Sequence, residues 1–165
     1  MLTLAAILCI AMTAVSCEKD TPENRVTIDW NNQAQTTFTT KSDQYEDSAT
    51  TFREATVHKT SDIEGKSWFS AGSSGGHVYD SFLLSIYFDD IKNMKVGDEL
   101  RISRFMFTFF YSSDSNATTY SHGGKIVLAE KTDDQVVLLF QGVTFSCSFG
   151  DYVTSGYLRC SLLPE

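Results

Sequence analysis

The sequence has little positive charge, and this shortage limits the partners that the protein can have. Lys and Arg together number 13 against 21 Asp and Glu, which gives a formal net charge of −8 at pH 7. A nucleic-acid-binding surface needs a basic stripe or patch. We therefore predict that the protein has no nucleic-acid partner.

The common catalytic and phosphate-binding motifs are also missing. There is no G-x-S-x-G elbow for a nucleophilic serine, and the glycine-rich stretch "AGSSGGH" (71–77) lacks the Lys-Ser/Thr pair of a phosphate-binding loop. The acidic pairs at 89–90, 98–99 and 133–134 consist of adjacent residues, which point to opposite faces of a strand and so do not form a glycosidase pair. The sequence predicts neither catalysis nor a cofactor.

Only one long hydrophobic run is present, and it occupies the N-terminus. Residues 1–15 carry no charged side chain. The run is shorter than the roughly 20 apolar residues that span a bilayer core, but it has the length of the apolar region of a secretory signal. We predict a cleaved signal peptide over residues 1–16.

The end of this run carries a cysteine preceded by small residues, "AVSC" (14–17). This pattern resembles the lipobox of bacterial lipoproteins. The resemblance implies cleavage before Cys17 and attachment of a diacylglyceryl group to its thiol. Each buried acyl CH₂ contributes roughly 0.8 kcal/mol, so several acyl chains give stable anchoring. The predicted partner is therefore a membrane, contacted through the lipid.

A polar tether follows the predicted lipidation site. Residues 17–25 include "EKDTPEN", which is acidic and turn-rich and shows no apolar periodicity. Acidic residues directly after the cysteine resemble the surface-export signal of Bacteroidetes-type lipoproteins. We expect an outer-membrane lipoprotein, with its surface-exposed or periplasmic orientation left open.

The rest of the chain, residues 26–165, has the size and composition of one folded domain. Removal of the signal leaves 149 of the 165 residues, and the chain is 42% hydrophobic with 12 phenylalanines. Apolar residues alternate with period two rather than 3.6 in most segments. About nine short strands separated by turn signals predict an all-β, antiparallel sandwich or a barrel-like domain.

Several local features of the strands can be predicted. "VTIDW" (26–30) and "TFREATVHK" (51–59) have the composition of strands, and "QVVLLFQ" (135–141) is apolar on both faces, which predicts a strand covered on both sides. "TDD" (132–134) predicts a hairpin turn. The hydrophobic phase changes within "ELRISRFMFTFFYS" (99–112), which predicts a bulge near Ser103-Arg104. Gly142 predicts a second bulge or bend.

The strand and turn pattern over residues 78–162 resembles the C-terminal part of small Bacteroidetes-type lipoproteins. It consists of "DDIKNMKVGDELRI", "GGKIVLAEKTDDQVVLLFQGVTFSCSF" and "GDYVTSGYLRCSL". The resemblance implies an exported β-sandwich. It implies no activity, because a fold does not determine a function.

Besides the acylated Cys17, two cysteines remain after processing, Cys147 and Cys160, each within an alternating strand. If residues 150–156 form the hairpin loop between these strands, the two thiols face each other and a disulfide is possible in an exported protein. Two buried thiols packed as small hydrophobic groups are the alternative. The sequence does not decide between the two.

Aromatic residues beside loops suggest a binding function. Trp68 and Phe69 precede the glycine-serine stretch, and Tyr79 and Tyr120 also lie near predicted loops. Such side chains can form a platform for a sugar or a peptide, although Trp68 and Trp30 are each more readily explained as core residues. The preferred hypothesis is a non-catalytic binding or assembly module at the cell envelope, with a glycan or protein ligand.

Two other functions are compatible with the sequence. His77, Asp80 and His122 lie next to glycine-rich loops and would form a metal site if they converged. The protein would then be a metal-dependent or hydrolytic enzyme, although no H-x-x-H or H-x-x-x-H spacing supports this. A structural subunit that joins its partner by strand addition at a sheet edge is the other possibility.

Overall fold

The protein forms an antiparallel β-structure in the computed structural model, which describes residues 26–41, 46–59, 65–73, 82–109, 121–146 and 150–164. Within these ranges lie eight strands, which are β1 (Gln35–Thr40), β2 (Ser48–His58), β3 (Lys66–Ser73), β4 (Phe82–Asp89), β5 (Ile102–Phe109), β6 (Ser121–Lys131), β7 (Gln135–Ser146) and β8 (Gly150–Leu163). A short 3-10 turn, Ile91–Asn93, follows β4. The prediction of an all-β domain is confirmed.

All eight strands belong to one sheet in the order β5-β4-β3-β2-β1-β8-β7-β6. This single sheet curls into a half-barrel. The predicted two-sheet sandwich is not confirmed. The observed half-barrel is closer to the alternative prediction, a barrel-like domain. The segment that leads into β5 hydrogen-bonds to β6, with Leu100 N donating to Ile126 O at 2.9 Å and Leu128 N donating to Asp98 O at 2.9 Å. These bonds connect the two ends of the curled sheet.

The concave side of the sheet contains the main core. Alternate residues of each strand point inward, as the burial pattern of β3 shows, where every second residue from Ser67 to Ser73 is buried. Aromatic rings fill the interior, including Phe69 against Phe140 with centroids 5.8 Å apart and Phe105 against Phe145 at 4.3 Å. Burial of these rings, together with the aliphatic side chains around them, stabilises the fold.

A second, smaller apolar cluster lies on the convex side. It contains Ala129, Val137 and Tyr157, covered by Val26 and Ile28. The prediction that "QVVLLFQ" is covered on both faces is therefore confirmed, because Val136 and Leu138 belong to the main core and Val137 to this cluster. The segment 26–29 that covers it is not a strand. The strand predicted from "VTIDW" is thus wrong: these residues pack on the sheet face instead of pairing at its edge.

Both predicted bulges are confirmed. Tyr87 pairs with Arg104 and Phe88 with Ile102, so Ser103 is the extra residue in β5. This insertion lets Ile102 and Phe105 both pack on the main core. In β7 the register shifts between Phe140 and Val143, around Gly142, whose φ is +65°.

The β7–β8 hairpin differs from the prediction. Residues 150–156, predicted to be its loop, form the first half of β8, with Ser146 paired to Asp151. Cys160 lies opposite Val136, a free and fully buried thiol. At about 3.3 Å per residue, Cys160 is about 30 Å along β8 from Asp151. The loop on which the predicted pairing was based is therefore wrong, whereas Cys147 lies outside the described residues and its disulfide with Cys160 stays a prediction.

Candidate functional site

The sheet contains a fork, at which β2 and β8 separate around the beginning of β1. Strand β1 pairs with β2 on one side and with β8 on the other, starting at Gln35. Farther along, β2 and β8 pair directly and in parallel, from Thr56 with Ser161 to His58 with Leu163. Between these two pairings lies an open depression of about 450 Å³, which we call the fork depression. Its lining comprises Trp30, Gln33, Ala34, Thr51, Phe52, Tyr157, Leu158 and Arg159.

The backbone is irregular on both sides of the fork. In β2 the register shifts between Arg53 and Thr56, and Glu54 adopts a φ of +50°, which is uncommon for a residue other than glycine. In β8, Gly156 has a φ of +112°, and a Cβ there would lie 2.6 Å from Gln33 O. Glycine at this position is therefore required for the chain before β1 to approach β8 so closely.

Backbone hydrogen bonds fix the chain before β1 at the edge of the fork. Ala34 N donates to Tyr157 O and Tyr157 N donates to Asn32 O, both at 2.8 Å. The Tyr157 hydroxyl donates to Thr27 O at 3.0 Å. Trp30 lies in the same segment, so these hydrogen bonds to Tyr157 hold it next to β8.

Core residues form the base of the fork depression. The ring of Phe52 is half-buried and contacts Phe82 edge-on at 5.9 Å and Phe140 at 6.2 Å. Ala34 is buried beside it. Because this base belongs to the main core, its shape is preorganised before a ligand binds.

The rim is aromatic, polar and cationic. Trp30 is 40% exposed, and the guanidinium carbon of Arg159 lies 4.4 Å from the centroid of its ring. A cation over an aromatic face is attracted by the ring quadrupole, so each side chain orients the other. Gln33 and Thr51 are exposed beside them and carry amide and hydroxyl groups that can bond to ligand hydroxyls.

The sequence favoured a core position for Trp30, but the ring is exposed. The residue lies in a turn, where Asn32 N donates to Asp29 O at 2.9 Å and Asn31 N donates to the Asp29 carboxylate at 3.0 Å. Asp and Asn around a tryptophan are turn-forming residues. The run "DWNN" therefore contained the signal for an exposed tryptophan.

A second aromatic arrangement crosses the convex face of β2, β3, β4 and β5. His58 stacks on Trp68 with centroids 4.3 Å apart and 11° between the ring planes, and Trp68 stacks on Tyr87 at 6.0 Å and 18°. Arg104 continues the row, 5.7 Å from the Tyr87 centroid. Half-burial in this row lowers the pKa of His58, because desolvation disfavours the charged imidazole.

The row contains one of the predicted ligand-binding residues, Trp68, which is half-buried. Its ring is stacked against His58 on one side and Tyr87 on the other, so the row favours cross-strand stabilisation of the sheet. Phe69 is fully buried in the main core. The prediction that Phe69 offers its ring to a ligand is wrong, because alternate residues of β3 point to opposite faces of the sheet.

Most of the other predicted site residues belong to segments outside the described ranges. Tyr79, Tyr120, His77, Asp80 and Cys17 lie outside the described residues, and His122 is described only as a backbone position in β6. Among the residues that the structure describes, no group of three or more His, Cys, Asp or Glu side chains could hold a metal ion.

Comparison with known proteins adds no identification. No family model, curated protein or solved structure matches the chain. In the described part of the chain, no helix is long and apolar enough to cross a membrane.

Proposed function

We propose that the protein is a non-catalytic glycan-binding module of the cell envelope, held at the membrane by a lipid on Cys17. The observation that carries the binding part is the exposed Trp30 ring at the rim of the fork depression. An exposed aromatic ring beside amide and hydroxyl groups is suited to a ligand with apolar faces and many hydroxyls. The volume of about 450 Å³ lies within the range of about 300–1,000 Å³ typical of small-ligand sites.

The geometry of the fork favours a glycan over an extended peptide. A peptide that binds by strand addition needs a length of unpaired strand edge. At the fork, β2 leaves only residues 52–55 between its pairing with β1, which ends at Thr51, and its pairing with β8, which begins at Thr56. On the other side, the backbone of Tyr157 already bonds to residues 32 and 34. The opening is therefore too short for a peptide strand.

The attachment part of the proposal is supported by the sequence. The charge-free run, the small residues before Cys17 and the acidic tether are the features of an exported lipoprotein. Cys17→Ala should incorporate no labelled fatty acid, and the same variant produced without residues 1–16, called below the soluble Cys17→Ala chain, should not associate with membranes. Unchanged membrane fractionation and unchanged labelling of this variant would exclude the proposed anchor.

The binding part can be tested with the soluble Cys17→Ala chain on a glycan array. Trp30→Ala should abolish the signal of any glycan bound by this chain, because it removes the exposed ring. Trp68→Phe is the matched control: it changes the other tryptophan, keeps an aromatic ring in the row and should retain binding. An empty array, or equal binding by Trp30→Ala, would contradict the proposed function.

A further inference from the structure

Arg159 is the only charged side chain among the eight residues that line the fork depression. No Asp or Glu contributes to the lining, although the whole chain carries a net charge of −8. The depression therefore differs in charge from the protein as a whole. A group that binds there meets a cation and no neighbouring carboxylate of the lining.

The guanidinium of Arg159 is also available for a ligand. Within the described ranges, no carboxylate lies within ion-pairing distance of this guanidinium. The electrostatic contact that it makes there is the cation–π contact with the Trp30 ring. By contrast, two lysines of the described residues are already paired with carboxylates: Lys41 lies 2.7 Å from Asp151 and Lys66 lies 2.8 Å from Asp89.

The Trp30 ring places this free cation at the rim without using a carboxylate. The guanidinium carbon lies 4.4 Å from the ring centroid. Arginine presents five N–H donors in a planar fork that matches a carboxylate in bidentate geometry, and it does so while stacked on an aromatic side chain. The pair can thus bind a carboxylate and an adjacent apolar face together.

From these contacts we propose that the fork depression binds an acidic sugar, a pyranose that carries a carboxylate. Its carboxylate pairs with Arg159, a face of its ring packs against the part of the Trp30 ring that Arg159 leaves exposed, and its hydroxyls bond to the exposed side chains of Gln33 and Thr51. This proposal rests on the proposed glycan-binding function and adds the chemical class of the ligand to it.

The test is isothermal titration of the soluble Cys17→Ala chain with three series of tetrasaccharides: uronates (galacturonate, glucuronate and mannuronate), their methyl esters, and the neutral sugars of the same linkage. The best uronate should bind up to about fivefold more tightly than its ester, since Arg159 is exposed and an exposed ion pair contributes at most about that factor. Its affinity should also fall as salt is raised.

Two variants assign this difference to Arg159. Arg159→Gln should reduce the affinity for the uronate to that for the ester and leave the affinity for the ester unchanged. Arg101→Gln removes the same charge from a side chain that is 88% exposed and outside the depression, and it should retain the preference for the acid.

The outcomes separate this proposal from the proposed function. Equal binding of uronate, ester and neutral sugar, or an unchanged preference in Arg159→Gln, would overturn the acidic-sugar proposal and leave the glycan-binding function intact. Absence of binding to all three series and to the glycan array would overturn both. A peptide with a free C-terminal carboxylate is titrated in the same way. If it bound more tightly than the sugars, the ligand would be a peptide and both proposals would be overturned.

Discussion

A buried pair of threonines allows a quantitative test of how β1 is held next to β8. Thr36 and Thr154 are 1% and 0% exposed and lie directly opposite each other in the two strands. Their hydroxyl oxygens are 2.8 Å apart, so one hydroxyl donates a hydrogen bond to the other. Replacing one of them by valine keeps the shape of the side chain but leaves the partner hydroxyl buried without a hydrogen bond.

The expected free energies of unfolding follow from this geometry. Each single variant, Thr36→Val or Thr154→Val, should lose about 1–3 kcal/mol, the cost of one unsatisfied buried polar group. The double variant should lose less than either single variant, because replacing both partners by apolar groups of the same shape is nearly neutral. If each single loss is about 2 kcal/mol, additivity predicts about 4 kcal/mol for the double variant, whereas pairing predicts less than about 1 kcal/mol.

Urea unfolding of the soluble Cys17→Ala chain, followed by tryptophan fluorescence, measures these values. Thr37→Val is the control, because Thr37 is the next residue of β1 and is exposed; it should change stability by less than about 0.5 kcal/mol. A double variant whose loss equals the sum of the two single losses would refute the paired arrangement.

Four further predictions concern single residues. Gly156→Ala should destabilise the protein strongly in urea unfolding, because of its positive φ and the clash at 2.6 Å, whereas Gly72→Ala, with open space around it, should be tolerated. The Cys160 thiol should resist alkylation until the protein unfolds, as measured by mass spectrometry, since burial raises its pKa. Lys131→Met should lower the free energy of unfolding in urea by about 1–3 kcal/mol, since the ammonium donates to three backbone carbonyls at 2.8–3.1 Å. In an NMR titration, His58 should show a pKa below 6.5 because of desolvation. Its contribution to stability is then present above about pH 6.5 and is lost as the pH falls; a midpoint above 6.5 would contradict this.

Features that depend on neighbouring residues could be predicted from the sequence. The phase change between Leu100-Ile102 and Phe105 requires one extra residue, and Ser103 is that residue. Gly142 marks the other bulge for a similar reason. The turn at 132–134 follows from its composition and connects β6 to β7.

Features that depend on distant residues could not be predicted. Whether strands form a sandwich or one curled sheet is decided by which strands pair, and the pairing of β2 with both β1 and β8 leaves no local sequence signal. The fork depression results from that pairing, so its residues, from Trp30 to Arg159, are separated by most of the chain. The error at residues 150–156 has a different cause: Gly150, Ser155 and Gly156 suggest a loop, but Gly150 and Gly156 are required where β1 and Gln33 come close to β8.

The two tryptophans of the chain make possible the most direct test of the proposed site. Their indole N–H signals in a ¹H–¹⁵N spectrum of the soluble Cys17→Ala chain can be assigned with Trp30→Phe and Trp68→Phe. Adding the tightest-binding oligosaccharide of the array should shift the Trp30 signal and leave that of Trp68 in place. A shift of Trp68 alone, or of neither signal, would contradict binding at the fork depression.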